Sequence, residues 1–354
     1  MSKELLSWYD DNKRALPWRE TKDPYKIWLS EIMLQQTQVV TVIDYYHRFI
    51  EVFPTVEALA NADEEAVFKL WEGLGYYSRA RNLMRCAKVI TEAHGGVFPK
   101  TVVELERLPG IGPYTANAIA SIAFGVRAPA VDGNVFRVIS RYFAIEQPID
   151  IPQNRVVFEN KTLELMSSRH DDFTQAMMDL GATICTPKAP DCFKCPLKKQ
   201  CKAFERSKQL DFPVKIKKIK KRVQRVALCV VLFQSRILLI KYPSSGLLAN
   251  LWGLPRIALD EGDLTNDLVE GYLNEHFDTK IKTIGTLEGK MHVFTHIKWE
   301  PTIFVYRSDQ KFESELPKTD WLTLDEIQHK ALPTAIKKQL PVIEKYLKFI
   351  DEAK

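Results

Sequence analysis

The stretch LPGIGPYTA, Leu108–Ala116, sets an apolar Leu-Pro before Gly-Ile-Gly and then places Pro-Tyr-Thr-Ala at the head of an Ala/Ile-rich run. This order predicts a tight hairpin between two helices. Gly110 and Gly112 let the chain turn through positive φ and bring bare amides to a surface. Pro113 opens the second helix at its first turn, where a missing N–H costs nothing. Two amides beside a helix N-terminus form an anion site suited to phosphate. Contacts of that kind hold a protein on DNA without reading its sequence. A plain turn between helices, closed by a glycine, is the competing reading.

The full pattern, hydrophobic-Pro-Gly-[Ile/Val]-Gly-x-x-[Thr/Ser]-Ala, looks like a helix-hairpin-helix at about residues 104–124 and favours binding to the DNA backbone. Working outward, residues 1–207 show apolar residues recurring at three and four, as in Leu83, Ala87 and Ile90 or Val135, Val138, Ile139 and Tyr142. That spacing predicts helices, and Pro and Gly punctuate them. Residues 208–225 change character. Seven of the eleven residues from Lys215 to Arg225 are basic, which reads as a linker or a contact for phosphates. Beyond it, Val226–Phe233 and Arg236–Lys241 flank a Gln-Ser turn and read as a β-hairpin, Thr302–Tyr306 as a strand, and Leu264–Phe277 and Ala335–Phe349 as helices. Residues 226–354 therefore form a separate α+β domain in this reading.

A chain of 354 residues is long enough for two or three domains with cores of their own. A net charge of +5 suits a nucleic-acid partner without demanding one. The stretch MSKELLSWYDDNKR lacks an apolar run of signal-peptide length, and nothing approaches a membrane span. The expectation is a cytoplasmic, monomeric protein, with no membrane contact. Cys86 and Cys229 sit in apolar segments and read as buried thiols. Cys185, Cys192, Cys195 and Cys201 crowd together as C-x6-C-x2-C-x5-C. In a reducing compartment, four thiols so close argue for a metal centre over disulfides, and thiolates suit either zinc or an iron–sulfur cluster. The lysines around them, among them Lys194, Lys198 and Lys199, would present positive charge to phosphates.

Two acids stand out. Within Tyr25–Gln38, read as one helix, Glu31 shares a face with Ile27, Trp28, Leu34 and Gln35. Desolvation on such a face raises a carboxyl pKa and makes a general acid near neutral pH. Asp132 precedes an apolar helix that begins near Asn134, where it is expected to cap the helix amides and stay ionised.

These pieces occur together in one known arrangement. The motifs LPWR (Leu16–Arg19), PYKIWLSEIMLQQTQV (Pro24–Val39), LWEGLGYYSRARNL (Leu70–Leu83), LPGIGPYTA, VDGNV (Val131–Val135) and the cysteine run resemble the helix-hairpin-helix DNA glycosylases that carry a [4Fe-4S] cluster. Within that superfamily the chain is similar to the adenine DNA glycosylases of the MutY type. The resemblance makes the metal centre a [4Fe-4S] cluster held by the four cysteines. It implies Glu31 as the acid that protonates a flipped-out adenine and Asp132 as stabiliser or trap of the sugar cation, the logic of a retaining glycosidase. Tyr114 and Asn134 would orient Asp132 and the sugar. Arg14, Leu16 and Trp18 match the adenine pocket. Gln36, Thr37, Leu74 and Tyr76 match positions that contact or wedge into the duplex, along with Gly110 and Gly112.

The resemblance places the catalytic lysine of the related endonuclease III enzymes where this chain has Tyr114. A phenol cannot form the Schiff base of a lyase step. From about residue 225 the chain resembles the MutT-like domain of the same glycosylases, with LWGLPRI (Leu251–Ile257) as a typical element. The Glu-rich helix of a working Nudix hydrolase is missing from the segment after Gly253, so this domain is expected to bind rather than hydrolyse. MHVFTHIKW would supply Phe294, Thr295 and His296 for recognising 8-oxoguanine, with Thr295 where many relatives carry Ser. The implied function is excision of adenine opposite 8-oxoguanine or G in duplex DNA, in the nucleoid if the protein is bacterial. Alternatives are a bifunctional pyrimidine glycosylase/lyase, an idle DNA-binding protein with a structural cluster, and a nucleoside pyrophosphatase.

Overall fold

The computed structural model describes residues 1–216, 221–277, 280–311, 313–314 and 317–352. The helices of the first 205 residues are α1 (Ser2–Asn12), α2 (Pro24–Leu34), α3 (Val39–Val52), α4 (Val56–Ala60), α5 (Glu64–Trp71), α6 (Ser78–His94), α7 (Val102–Glu106), α8 (Pro113–Phe124), α9 (Gly133–Phe143), α10 (Arg155–Leu165), α11 (His170–Thr183) and α12 (Lys202–Glu205). Local chemistry starts several of them. Asp23 caps α2 by accepting from the Tyr25 amide, with Pro24 at the first helical position. Thr101 caps α7 by accepting from the Glu104 amide. Helix α8 ends on Gly125 at φ 66°, a left-handed cap.

The chain divides into two compact units, Met1–Ala62 with Arg81–Lys218, and Asp63–Ala80 with Ile219–Lys354. In the first, α1, α9 and α11 pack Leu5, Leu6, Val135, Ile139, Phe173 and Leu180 into one core, and the cysteine loop lies against it. Helices α7 and α8 form the expected hairpin. Only Gly110 of its two glycines has positive φ (76°); Gly112, at φ −94°, is the extended N-cap of α8. A Cβ at Gly110 would stand 2.5 Å from the Asn82 side chain, so this position admits no larger residue. The expected helix Tyr25–Gln38 stops at Leu34. Gln36 adopts φ 59°, which turns the chain before α3 begins.

The second unit is built on a mixed sheet. Strands β1 (Arg222–Phe233), β2 (Arg236–Lys241), β3 (Trp252–Gly253), β4 (Arg256–Leu259), β5 (Ile281–Glu288), β6 (His292–Val293), β7 (Ile297–Ser308) and β8 (Thr319–Leu322) pair in the order β3-β2-β1-β7-β5, with β4 on β1, β6 on β7 and β8 on β2. β1 and β7 run parallel along eleven paired positions, from Arg222 opposite Ile297 to Leu232 opposite Arg307. Val226–Leu232 is buried throughout, as a strand covered on both faces must be. The β1–β2 hairpin and the strand around Thr302–Tyr306 stand where the apolar runs place them. Arg222–Arg225, read as linker, belong to β1, and Lys217–Lys220 of that basic segment lie outside the described residues. The helix expected over Ala335–Phe349 is two, Thr334–Lys337 and Leu340–Glu352. Pro341 lacks the N–H to continue the first and is accommodated at the start of the second.

A boundary at residue 207 does not describe this second unit, because Asp63–Ala80 belongs to it. The indole of Trp252 donates to Glu65 (3.0 Å), Lys69 donates to the Gln328 carbonyl (2.7 Å), and Tyr77 donates to the Leu332 carbonyl (3.3 Å). None of these side chains is marked out by periodicity, since each acts through one polar atom across more than 180 residues of chain.

Candidate active site

A cavity of about 660 Å³ opens in the helical unit. Its lining comes from the segment before α2, from α2 itself, and from the N-terminal ends of α8 and α9. The structure brings together Arg14, Leu16, Trp18, Glu31, Gln36, Thr37, Gly112, Tyr114, Asp132 and Asn134, predicted from separate motifs. Leu16 and Trp18 are buried by their neighbours yet face this space.

Glu31 is 5 % exposed on α2. Burial pushes its carboxyl up to about 7; a hydrogen bond from Tyr114 works against this shift, Asp132 adds to it, and Arg19 opposes it. The Tyr114 hydroxyl donates to Glu31 Oε2 at 2.5 Å. The resemblance implied that Tyr114 orients Asp132; its phenol, carried on α8, bonds to the other acid, Glu31. Burial also raises the phenol pKa well above its ordinary value, with Glu31 and Asp132 adding to the shift, so Tyr114 keeps its proton. A carboxyl half protonated near neutral pH, gripped on one oxygen by a neutral donor, can deliver a proton from the other.

Asp132 caps α9. Its Oδ1 accepts from the Asn134 amide (2.9 Å) and the Val135 amide (2.8 Å), and its Oδ2 accepts from Asn134 Nδ2 (2.8 Å). Asn134 thus grips Asp132 through both its backbone amide and its side chain. Burial nonetheless outweighs these donors and holds the Asp132 pKa above the usual carboxylate value, so the cap alone does not secure the charge. The carboxylate stands at the positive end of a helix dipole, where an anion is stabilised and can face a developing cation.

The sequence reading assigned no role to Asp179. It is wholly buried on α11, accepts from both Nη atoms of Arg19 (2.5 and 2.7 Å) and from Arg14 Nε (2.6 Å), and thereby ties α11 to the segment that carries the cavity wall. Burial opposes its ionisation, but the two guanidiniums outweigh it and hold the carboxyl below the usual range. The available signal was a lone acid between Met177 and Leu180. Asp179→Asn leaves two guanidiniums without a counter-charge; we expect a loss of about 3 kcal/mol of stability, measured by denaturant unfolding.

The four predicted cysteines line one cavity of about 30 Å³, together with Ile184, Lys198 and Phe204. Among the described residues, no group of three or more His, Cys, Asp or Glu is placed to hold a single metal ion. Arg141 donates to Cys185 Sγ (3.3 Å) and to the carbonyls of Thr186 and Pro187 (2.8 and 3.0 Å). Arg137 donates to the Cys185 carbonyl (2.7 Å) and to Asn134 Oδ1 (2.9 Å). One helix, α9, thus presents Asp132 at its start and holds the cysteine loop along its side.

In the second unit, Tyr76 (45 % exposed, φ 47°) shares a hydrogen bond with the Thr295 hydroxyl, joining two residues that the sequence suggested only as separate contacts. Leu74, expected at the duplex, is buried, and its carbonyl accepts from Arg79. Phe294, Thr295 and His296 form the tip of the β6–β7 hairpin, closed by a bond from the Phe294 amide to the Ile297 carbonyl (2.8 Å). Phe294 does not project freely. Its ring packs edge-on against His292 (4.5 Å) and Trp299 (4.9 Å).

Among the described residues, no helix is long and apolar enough to cross a membrane. Residues 29–158 match the HhH-GPD superfamily of base excision DNA repair proteins, and residues 227–341 match the NUDIX domain. The chain is 36 % identical to the adenine DNA glycosylase of Rattus norvegicus over 97 % of its own length and 78 % of the relative's. It is 35 % identical to the adenine DNA glycosylase of Buchnera aphidicola subsp. Baizongia pistaciae, over 97 % of this chain and 96 % of that one. A solved thermostable thymine-DNA glycosylase aligns with 58 % of the chain and 95 % of its own at a TM-score of 0.54 and 31 % identity. An endonuclease III–DNA complex shares the fold of the same part at a TM-score of 0.50 and 24 % identity. With its paired acids in one cavity, its helical hairpin and a relative matched along nearly the whole of both sequences, the chain belongs to the adenine DNA glycosylase family.

Proposed function

We propose that this protein is a monofunctional DNA glycosylase that hydrolyses the N-glycosidic bond of adenine opposite 8-oxoguanine or guanine. The observation that carries the reading is the Glu31–Tyr114 hydrogen bond in the cavity that Asp132 also lines. Adenine is a poor leaving group as an anion. Glu31 gives its proton to the ring, so the bond's electron pair departs on a neutral base. The Asp132 carboxylate stabilises the sugar cation or traps it, and water then attacks the sugar carbon and passes a proton to a carboxylate. Arg14, Leu16 and Trp18 shape the pocket around the base. Reaching it requires flipping, which costs a few kcal/mol; Gln36, set in a left-handed turn with Thr37 next along the chain, and Tyr76, exposed on the second unit, match positions that fill the gap.

The amides of Gly110 and Gly112 at the head of α8 suit a backbone phosphate. Cys185, Cys192, Cys195 and Cys201 would hold a [4Fe-4S] cluster: the four thiols line one cavity, and cysteine thiolates are the ligands such a cluster takes. When bound, the cluster supplies a covalent brace for the lysine-bearing loop. Phe294, Thr295 and His296 would read 8-oxoguanine. The enzyme is read as a cytoplasmic monomer. Tyr114 supports the monofunctional reading, since a protonated phenol offers no amine for a lyase step.

The test is excision on duplexes pairing A with 8-oxoguanine, G, C and T, each read with and without alkali. Base loss that needs alkali to break the strand, fastest opposite 8-oxoguanine, is expected. Strand cutting without alkali would return the endonuclease III alternative.

A further inference from the structure

We propose that Arg256 is a positioning residue for lesion reading, acting through Trp299 on Phe294; this rests on the assignment of the β6–β7 tip to 8-oxoguanine. Arg256 opens β4 and pairs with Leu228 of β1, while Trp299 lies on β7, on the other side of β1, opposite Gln224. Positions 224 and 228 share a face of the pleated strand, so Arg256 and Trp299 meet across β1. His292 pairs with Trp299 and joins the same face.

The guanidinium lies 5.1 Å from the Trp299 ring centre and 5.2 Å from that of Tyr242. Its Nε is buried and has no hydrogen-bond partner among the described residues. Hydrogen bonding at that atom therefore does not hold Arg256; the Trp299 ring does on one side, and Tyr242, through its ring and a hydrogen bond with its hydroxyl, on the other. Trp299 is 1 % exposed and is fixed on its edge by a bond from Nε1 to Gln224 Oε1 (3.2 Å). The same indole meets Phe294 edge-on, ring centres 4.9 Å apart. Tyr242, Arg256, Trp299 and Phe294 thus form one continuous row of contacts. It begins at a hydroxyl tied to the Leu254 carbonyl (2.7 Å) and ends at the hairpin tip.

A side chain aimed at a lesion must arrive within a fraction of an ångström, and small misplacements are expensive. Arg256 supplies the plate that keeps Trp299 from tilting under Phe294. Nothing about the helical unit's chemistry passes through it, so its loss should fall on discrimination.

The experiment compares Arg256→Met, Arg256→Lys, Phe294→Ala and the double variant Arg256→Met/Phe294→Ala. The readout is the ratio of kcat/KM for A opposite 8-oxoguanine to that for A opposite G. Arg256→Met should lower the ratio about tenfold, through KM on the lesion duplex with kcat retained. Arg256→Lys keeps the charge and stem without the flat plate, so it should lower the ratio by about threefold, and it carries the test if the methionine variant does not fold. The double variant should fall no further than Phe294→Ala alone. A native ratio in the folded arginine variants, or losses that multiply in the double variant, would overturn the proposal. A native ratio in Phe294→Ala would instead overturn the lesion-reading assignment beneath it.

Discussion

Glu31→Gln is expected to lower adenine release by at least about 10³-fold while the protein still binds its duplex. Glutamine has the same shape and leaves Tyr114 an oxygen to donate to, so the buried pair stays satisfied and the fold persists. It has no proton to give at neutral pH. The pH profile provides a second check. Glu31 must be protonated to act, and its pKa is raised to about 7, so the native rate should fall as pH rises through that value. Asp132 must be ionised, and its pKa is also raised, so the acid side should fall as pH drops toward a point above the ordinary carboxylate value. In Glu31→Gln the alkaline fall should vanish from the residual rate. Single-turnover excision across pH, with binding followed separately, measures both; unimpaired excision by Glu31→Gln would remove Glu31 from its role.

Asp132→Asn separates the cap from the chemistry. Asparagine caps helices about as well as aspartate, so its side-chain oxygen should keep the Asn134 and Val135 amides and the melting temperature should stay within a few degrees of native. The negative charge at the start of α9 is gone. If that charge stabilises the sugar cation or traps it, excision should fall by about 10³-fold or more with duplex affinity preserved. A variant that melts early would show that the cap mattered more than the charge. A stable and fully active one would end the proposed role for Asp132.

The paired effects on Glu31 and Tyr114 explain why these acids were legible at different depths. An acid on an apolar helical face signals desolvation, and Glu31 is buried with a raised pKa as that pattern implies. The cap at Asp132 could be read from Asp-Gly-Asn before an apolar run, because the Asn134 and Val135 amides it accepts from are two and three residues away. Its pKa could not be read, because the sign is set by how much of the chain folds over it. Tyr114 was singled out by the lysine it replaces, but its hydrogen-bond partner lies 83 residues away on another helix.

Local rules therefore determined the hairpin at Gly110, the helices of the first 205 residues, the β1–β2 hairpin, the four-cysteine loop and the identity of the two acids. Each depends on periodicity, caps or turn chemistry within a few residues. Tertiary structure alone decided that Tyr114 bonds to Glu31, that Asp179 ties α11 to Arg14 and Arg19 of the cavity wall, that Asp63–Ala80 joins the sheet-bearing unit, and that Phe294 packs against Trp299. These are contacts between single atoms or rings brought together across long spans of chain. Hydrophobic patterning states which face is buried, but not which polar atom lies opposite once it is.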